Sequence, residues 1–392
     1  MANRRKVIEM KRYLPGTKRR YQRCTNCVMD TTDSKIVFDR DGVCDFCNDF
    51  KKNILPSWKP MTDDPALEQI GEEIRKAGAG KKYDCIIGLS GGADSSYLCY
   101  IAKERMKLRP LAFVVDTGWN LDVANRNIAQ IVEALDIDMH VETVDWEEMK
   151  DLQVAFFEAQ VPYQDLPQDH AIFAALYNYA VKNDIRYVLT GANNATEYLR
   201  PPIEWVYQND LTFIKDVHKR FGERPLKTFP MCGMLRYRIY YPYFKGMKRV
   251  APLNLVPYDK EEIQKFLVRE LGWHAYEEKH YEDRFTRWYE GYYLPHKFGY
   301  DKRKCYLSNL ILTGELTREQ ALAELERQPY TDDLVREDSA FIAEKLGMTL
   351  DGFMHLIEGE NRTFEDYKNS FGLIRFGTKV LRALGIEKKM FR

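Results

Sequence analysis

A turn rich in serine and glycine, SGGADSS at residues 90–96, carries the residue types that bind phosphate. It follows an apolar strand-like segment and leads directly into a helical pattern. Gly91 and Gly92 allow successive backbone N–H groups to converge on one anion, and the helix adds the positive end of its dipole. The turn lacks the Gly-Lys-Ser/Thr ending of a Walker P-loop and the G-x-G-x-x-G of a dinucleotide-binding fold. It therefore predicts a pyrophosphate-binding loop of another type.

Four cysteines have the spacing of a metal site: Cys24, Cys27, Cys44 and Cys47. Each C-x2-C pair can turn two thiolates toward one ion, so two pairs can complete a tetrahedral S4 site. Because protein ligands occupy all the positions, we expect a structural metal. Zn²⁺ in a small ribbon is the prediction, and an iron–sulfur centre, which uses the same thiolates, is the alternative.

After the cysteines, strand-like and helical segments alternate. Strands are expected at 83–90, 110–118, 139–146 and 186–193, and helices at about 94–107, 121–135 and 168–183. This alternation predicts an α/β fold with a doubly wound parallel sheet covered on both faces. The expected domains are a zinc ribbon at 1–60, the α/β domain at 61–258 and a helical C-terminal region at 259–392 that completes the active site.

Ligands of such sheets bind at the carboxyl ends of the strands. Asp116 follows the second predicted strand, and the turn TGANNATE follows the last one. That turn places Asn193, Asn194 and Glu197 at the same edge as the pyrophosphate loop, although asparagine and glycine also populate ordinary turns. The sequence thus predicts one ligand site built from three turns.

The composition limits the classes of partner. Lys and Arg together number 59, as do Asp and Glu, so the formal net charge is zero. A general nucleic-acid binder needs a strongly positive face, and none is expected here. No segment approaches the roughly 18 apolar residues of a membrane span, and the first residues do not read as a signal peptide. We expect a cytoplasmic protein that does not bind membranes.

Several segments together resemble the N-acetyl sugar amidotransferases of bacterial surface-polysaccharide and lipopolysaccharide biosynthesis, within the N-type ATP pyrophosphatases. They are the ribbon at 23–50, the loop at 90–96, the T-G-x-N-x-x-T-E stretch at 190–197 and the segment KFGYDKRKCYLSNLILTGELTREQAL at 297–322. The resemblance implies that the acetamido group of a UDP- or CMP-linked N-acetyl sugar becomes an acetamidino group. The amide oxygen would attack the α-phosphate of ATP, and ammonia would then displace AMP.

The resemblance also implies roles for individual residues. Asp94, with Glu197, would hold Mg²⁺ against the pyrophosphate, and Asp116 would lie near the adenosine. The other expected ATP- and pyrophosphate-binding residues are Ser90, Gly91, Gly92, Ser95, Ser96, Gly191, Asn193, Arg303 and Lys304. Lys297 is the first choice for a catalytic cation, although a solvated helix face would hold such residues equally well.

Asp169, His170 and Asn194 are the candidates for contact with the sugar substrate. Asp169 fits an N-cap equally well. Basic and aromatic residues interleave at 236–249, which reads either as an amphipathic strand pair or as a surface that stacks a uracil ring.

The sequence contains no recognisable glutaminase. Position 2 is Ala, and neither Cys232 nor Cys305 lies in a Gly-x-Cys-x-Gly elbow. The resemblance therefore points to a glutaminase and cyclase-like pair of partner proteins as the source of ammonia. The main rival is tRNA thiolation, which joins a zinc ribbon to the same ATP loop but commonly needs a reactive cysteine pair. A non-catalytic nucleotide sensor is the third possibility.

Overall fold

A five-stranded parallel sheet lies at the centre of the computed structural model, which describes residues 19–119, 122–207, 210–275, 283–327 and 330–383. The strands are β1 Cys85–Gly88, β2 Pro110–Asp116, β3 Asp138–Thr143, β4 Tyr187–Leu189 and β5 Lys248–Val250. Their order in the sheet is β3-β2-β1-β4-β5, and every neighbouring pair is parallel. The predicted α/β class is confirmed.

Helices cover the sheet and connect its strands. Up to the last strand they are α1 Asp45–Asp49, α2 Pro65–Ala77, α3 Ala93–Tyr100, α4 Asp122–Ala134, α5 Trp146–Glu158, α6 Leu166–Lys182, α7 Asn194–Glu197 and α8 Leu211–Phe221. A π-helical turn, Phe50–Ile54, extends α1, and another, Ile101–Arg105, extends α3. The predicted elements are therefore found, with ends shifted by a few residues.

Two apolar cores lie on the two faces of the sheet, because side chains of a strand alternate between faces. In β2, Leu111 and Phe113 join one core, and Ala112 and Val114 join the other. The prediction that both faces of the sheet are covered is confirmed for the central strands, but it is wrong for β3. That strand forms an edge, and its Val141 remains 48% exposed.

The segment at 236–249 is not the strand pair that its residue types favour. Arg236–Phe244 forms an irregular π-type helix, and only the following β5 joins the sheet. Tyr241 is buried there, whereas Tyr243 is 80% exposed. Pro242 lies within the helix and has no N–H to give to a strand ladder, which removes one reason for pairing.

The C-terminal region is helical, as predicted. It consists of α9 Lys260–Leu271, α10 Arg284–Trp288, a π-type extension Tyr289–Phe298, α11 Arg303–Thr313, α12 Arg318–Glu326, α13 Asp332–Lys345, α14 Leu350–Ile357 and α15 Phe371–Ala383. Two of these helices begin with a capping side chain: Asp259 accepts from the Glu262 N–H, and Thr317 forms a capping box with Gln320. Within the described ranges, no helix is long and apolar enough to cross a bilayer.

The ribbon packs against this C-terminal region. One continuous core contains ribbon residues such as Ile36 and Phe46 together with Trp288 and Phe353. The Arg318 guanidinium donates to the backbone carbonyls of Cys24 and Cys27, at 2.9 and 3.1 Å. The ribbon is therefore held by the far end of the chain.

Candidate functional site

The four ribbon cysteines form a cluster suited to a tetrahedral metal ion. Their Sγ atoms lie within 4.8 Å of one another, and all the thiols are buried. Backbone N–H groups point at the sulfurs: those of Cys27 and Cys44 approach the Cys24 Sγ at 3.4 and 3.2 Å. Such donors stabilise thiolates, and sulfur ligands with no open position suit structural Zn²⁺.

The chain around these cysteines is more irregular than a ribbon of regular strands would be. In place of regular strands, isolated bridges join Arg23 to Asp30 and Phe38 to Cys44. Lys304 of α11 forms an ion pair with the buried Asp30 at 2.7 Å. Burial alone would raise the pKa of Asp30, but the Lys304 ammonium and the hydrogen bonds from Thr32 together outweigh it, and the pKa is lowered.

The pyrophosphate loop lies between β1 and α3 and depends on glycine. Gly91 has φ +81°, and a Cβ atom there would lie 2.6 Å from the Ala124 carbonyl oxygen. The Ser95 hydroxyl accepts from the Ser90 N–H at 3.2 Å, and Trp273 donates to the Gly91 carbonyl at 2.8 Å. The loop is therefore held in shape from within and by a C-terminal residue.

The loop and the 190–197 turn meet at Asp94. A Cβ atom added to Gly191 would lie 3.3 Å from both the backbone carbon and the Cβ of Asp94, so the two turns touch. Tyr258, which follows β5, donates its hydroxyl hydrogen bond to the Asp94 carboxylate. Tyr258 and Trp273 belong to the site but carry no motif that would reveal them in the sequence.

Asn309 of α11 fixes the 190–197 turn. Its amide donates to the carbonyls of Thr196 and Leu199, at 2.8 and 3.0 Å, and accepts from the Leu199 N–H at 2.7 Å. Asn193 has a local role, since its side-chain oxygen caps α7 by accepting from the Thr196 N–H. The predicted C-terminal segment thus contacts the sheet edge through Asn309. The sequence analysis did not single out this residue.

Three buried polar atoms at this edge lack hydrogen-bond partners among the described residues: Ser96 Oγ, Trp119 Nε1 and Asn194 Oδ1. Ser96 lies in the pyrophosphate loop, and Trp119 comes shortly after β2. Asp116, at the end of β2, accepts from the Gly118 N–H at 2.8 Å. Because an unsatisfied buried polar atom is costly, these positions suit a polar ligand.

The magnesium ligands proposed from the sequence fit chemically. Asp94 and Glu197 are carboxylates on the two turns that meet, and hard oxygen donors are what Mg²⁺ takes in phosphate sites. Glu197 is the last residue of α7, and Asn193 caps the start of that helix.

Asp169 and His170 have different surroundings. Asp169 lies in the first turn of α6, where burial raises the pKa of its carboxyl to about 6. It is not the N-cap, a position taken by Asp165. His170 is fully buried, accepts from the Cys232 N–H at 3.3 Å and has its pKa lowered by burial to about 4. Its Nδ1 has no hydrogen-bond partner among the described residues, and contact between His170 and a substrate stays a prediction.

The three cations predicted from the C-terminal segment are engaged by protein groups. Lys297 donates to the Gly359 carbonyl at 2.6 Å, Arg303 pairs with Asp301 at 2.8 Å, and Lys304 pairs with the ribbon. Their positions give no support to the expectation that they neutralise pyrophosphate.

The cysteines outside the ribbon are poorly suited to nucleophilic chemistry. Cys85, Cys99, Cys232 and Cys305 are all buried. Burial raises the pKa of each thiol, to about 12 for Cys99. Since the thiolate is the reactive form, these residues do not supply the cysteine pair that thiolation commonly needs.

Comparison with protein families assigns two parts of the chain. Residues 65–200 match the NAD synthase family, and residues 282–381 match the family described as LPS biosynthesis protein WbpG-like, C-terminal domain. One part of the chain is thus similar to NAD synthase, and another is similar to the C-terminal domain of WbpG-like proteins. The first is an ATP pyrophosphatase domain of the predicted type, and the second contains Asn309 and most of the predicted C-terminal segment.

Individual relatives are more distant. An uncharacterized protein of Methanocaldococcus jannaschii, MJ1599, is 21% identical over 320 residues, which cover 80% of this chain and 97% of that protein. The NH3-dependent NAD synthetase of Campylobacter jejuni is 14% identical, with a TM-score of 0.29 over 72% of this chain and 95% of its own. A predicted subunit of tRNA methyltransferase from M. jannaschii is 12% identical, with a TM-score of 0.28 over 47% and 75%.

Proposed function

We propose that this protein is an ATP-dependent amidotransferase that acts on a nucleotide-linked N-acetyl sugar. It would adenylate the acetamido oxygen and replace it with nitrogen from ammonia, releasing AMP and pyrophosphate. The pairing of an ATP pyrophosphatase domain with a WbpG-like domain supports both the use of ATP and a role in lipopolysaccharide biosynthesis.

The observation that carries the proposal is the contact between the two domains at the sheet edge. Asn309 of the WbpG-like domain holds the turn that touches Asp94 of the pyrophosphate loop. A domain that merely accompanied the ATP site would not need to shape it. The contact therefore supports one active site to which both domains contribute.

The chemistry explains why ATP is needed. An amide oxygen is a poor leaving group, so ammonia does not displace it unaided. When that oxygen attacks the α-phosphorus, an O–P bond forms and the bond from the α-phosphorus to the pyrophosphate breaks. Ammonia then adds to the imidate carbon, and the C–O bond breaks as AMP leaves with the oxygen. The product is an amidine that carries the new nitrogen.

The residues of the site would mainly position and neutralise charge. The backbone N–H groups and serine hydroxyls of the loop would bind the departing pyrophosphate. Asp94 and Glu197 would hold Mg²⁺, which supplies positive charge where the negative charge is greatest. The hydrogen bond from Tyr258 would fix the Asp94 carboxylate in one orientation.

Ammonia would come from partner proteins, a glutaminase with a cyclase-like subunit, and the protein would act in the cytoplasm. The sugar would be carried on UDP or CMP. The buried, high-pKa thiols favour this function over tRNA thiolation.

The decisive experiment incubates UDP- and CMP-linked N-acetyl sugars with the protein, ATP, Mg²⁺ and an ammonium salt. Mass spectrometry should show a product in which NH has replaced O, and AMP and pyrophosphate should form in equal amounts. Release of ADP and phosphate would contradict the mechanism. Glutamine should support turnover only after the partner pair is added, so glutamine-dependent activity of the pure chain would contradict the division of labour.

A further inference from the structure

A phosphate-binding loop without lysine needs positive charge from elsewhere. The seven-residue loop SGGADSS contains no cation, and its aspartate adds a negative charge. The C-terminal cations predicted for this purpose are engaged with Gly359, Asp301 and Asp30. Mg²⁺ would supply part of that charge, and a protein cation that adds to it is to be sought at another position.

Lys345, the last residue of α13, lies against a cage of three aromatic rings. Its ammonium is 4.7 Å from the ring centre of Trp146, 5.0 Å from Trp119 and 5.6 Å from Phe341. Trp119 follows β2, and Trp146 begins α5 just after β3. The WbpG-like domain thus places a cation at the carboxyl edge of the sheet.

Lys345 is only partly buried, and its ammonium has no hydrogen-bond or ion-pair partner among the described residues. Aromatic faces attract a cation but accept none of its three N–H bonds in the usual geometry. Among the residues that the structure describes, no carboxylate lies within ion-pair distance of Lys345 and no acceptor is hydrogen-bonded to it. The indole N–H of Trp119, in the same cage, also lacks an acceptor although the residue is only 1% exposed.

The surroundings keep the lysine available as a cation. Burial against the rings lowers the pKa of Lys345, whereas the carboxylates of Asp116 and Asp283 act in the opposite direction. Both carboxylates act on it from a distance. A ligand with several phosphate oxygens would satisfy the lysine and the nearby indole together.

We propose that Lys345 binds the α-phosphate end of ATP and is a substrate-contacting residue of the active site. The inference rests on the proposed function, because the loop at β1 sets where the pyrophosphate lies. β2 pairs directly with β1, and paired strands are about 4.8 Å apart. A nucleotide whose pyrophosphate occupies the loop therefore extends readily over the end of β2, where Lys345 lies.

The phosphates of a nucleotide sugar offer the same chemistry, so the test separates the two sources. Binding of Mg²⁺–ATP without sugar, and of the UDP-linked sugar without ATP, is measured by calorimetry and by the fluorescence of the adjacent tryptophans. Lys345→Met should weaken ATP binding about 10- to 100-fold, the loss expected for one charge-assisted phosphate contact. Lys345→Arg should recover most of it. Sugar binding should stay unchanged.

Arg336→Met is the matched control, because it removes one positive charge from the exposed face of the same helix. It should leave ATP affinity unchanged. Circular dichroism establishes that each variant is folded, and Lys345→Gln replaces Lys345→Met if the latter is not. If a folded variant without the charge binds ATP as tightly as the wild type, the inference on Lys345 is wrong while the proposed function stands. The same holds if the variant weakens only the binding of the sugar. A wild-type protein that binds no ATP would overturn the proposed function as well.

Discussion

The ribbon cysteines and the carboxyl edge of the sheet differ in how far their polar groups are hydrogen-bonded. Around the four cysteines, N–H groups point at the sulfurs, and Arg318 satisfies two of the neighbouring carbonyls. At the sheet edge, Ser96, Asn194 and Trp119 each keep a buried polar atom without a partner in the described part of the chain. The ribbon also contains a buried atom without a partner, Arg23 Nε, so the contrast concerns the sulfurs, whose N–H donors suit a structural metal, and not every polar group near them.

The same contrast applies to lysines of the C-terminal domain. Lys304 is paired with a carboxylate, so its charge stabilises the contact with the ribbon. Lys345 lies against aromatic rings, and within the described ranges no carboxylate or hydrogen-bond acceptor of the protein is paired with it. A family match identifies the domain, whereas the contacts of each lysine distinguish Lys304, which is paired within the protein, from Lys345, which we propose for the substrate.

The largest effect is expected from breaking the ribbon. Cys24→Ser or Cys44→Ser should abolish stoichiometric zinc and leave mostly insoluble protein, because a structural zinc site contributes on the order of 10 kcal/mol to its small domain. Metal analysis and the soluble yield measure this. Cys232→Ser, a change outside the cluster, should keep the zinc. Stable, active protein from either ribbon variant would show that the cluster is dispensable, and iron in a coloured sample would favour the iron–sulfur alternative.

A charge removed from the sheet edge should affect chemistry and leave the fold intact. Asp94→Asn should lower kcat about 100-fold or more, because charge is neutralised less well at the departing pyrophosphate. The release of AMP and pyrophosphate measures the rate, and thermal unfolding tests the fold. Asp63→Asn removes an exposed carboxylate and serves as the control. Equal rates for the two variants would remove Asp94 from the mechanism.

The contact between the two domains should have an intermediate effect. Asn309→Ala leaves three backbone groups of the 194–199 segment without their partner, which should cost roughly 3 kcal/mol of unfolding free energy. Urea denaturation measures the loss. Asn183→Ala, which removes a single exposed hydrogen bond at the end of α6, should cost far less. Similar stability of the two variants would mean that Asn309 does not fix the turn.

The smallest effect concerns pH. Because burial raises the pKa of Asp169 from 3.8 to about 6, the folded state binds the extra proton between these values, and stability falls as pH rises through them. The lowered pKa of His170, about 4 instead of 6.5, acts in the opposite direction, since the unfolded state then binds the proton. The two slopes largely cancel between pH 4 and 6.

Asp169→Asn should reveal the contribution of His170 to the pH dependence of stability. The variant should lose more of its thermal stability than the wild type when the pH is lowered from 6.5 to 4. The melting temperature across this range measures the effect, and parallel curves for the two proteins would contradict it.

Much of this molecule could be predicted from short-range patterns. The cysteine spacing, the glycines of the loop and the alternation of strands and helices each express local geometry, and the structure contains all of them. The partners of Lys304 and Asn309 lie 274 and more than 100 residues away in sequence, and no local pattern encodes such contacts. The predicted strand pair at 236–249 failed for a related reason, because only the neighbouring strand decides which residues enter the sheet.

The contact between Arg318 and the ribbon affects how the chain folds during its synthesis. Arg318 donates to carbonyls 291 and 294 positions earlier in the chain. The cysteine ribbon therefore leaves the ribosome long before Arg318 has been synthesised. During that interval the apolar side of the ribbon lacks the helices that cover it in the finished molecule. Contacts of such sequence separation form slowly and leave a nascent chain open to aggregation. Early metal binding would keep the newly made ribbon folded until the last third of the chain has been synthesised.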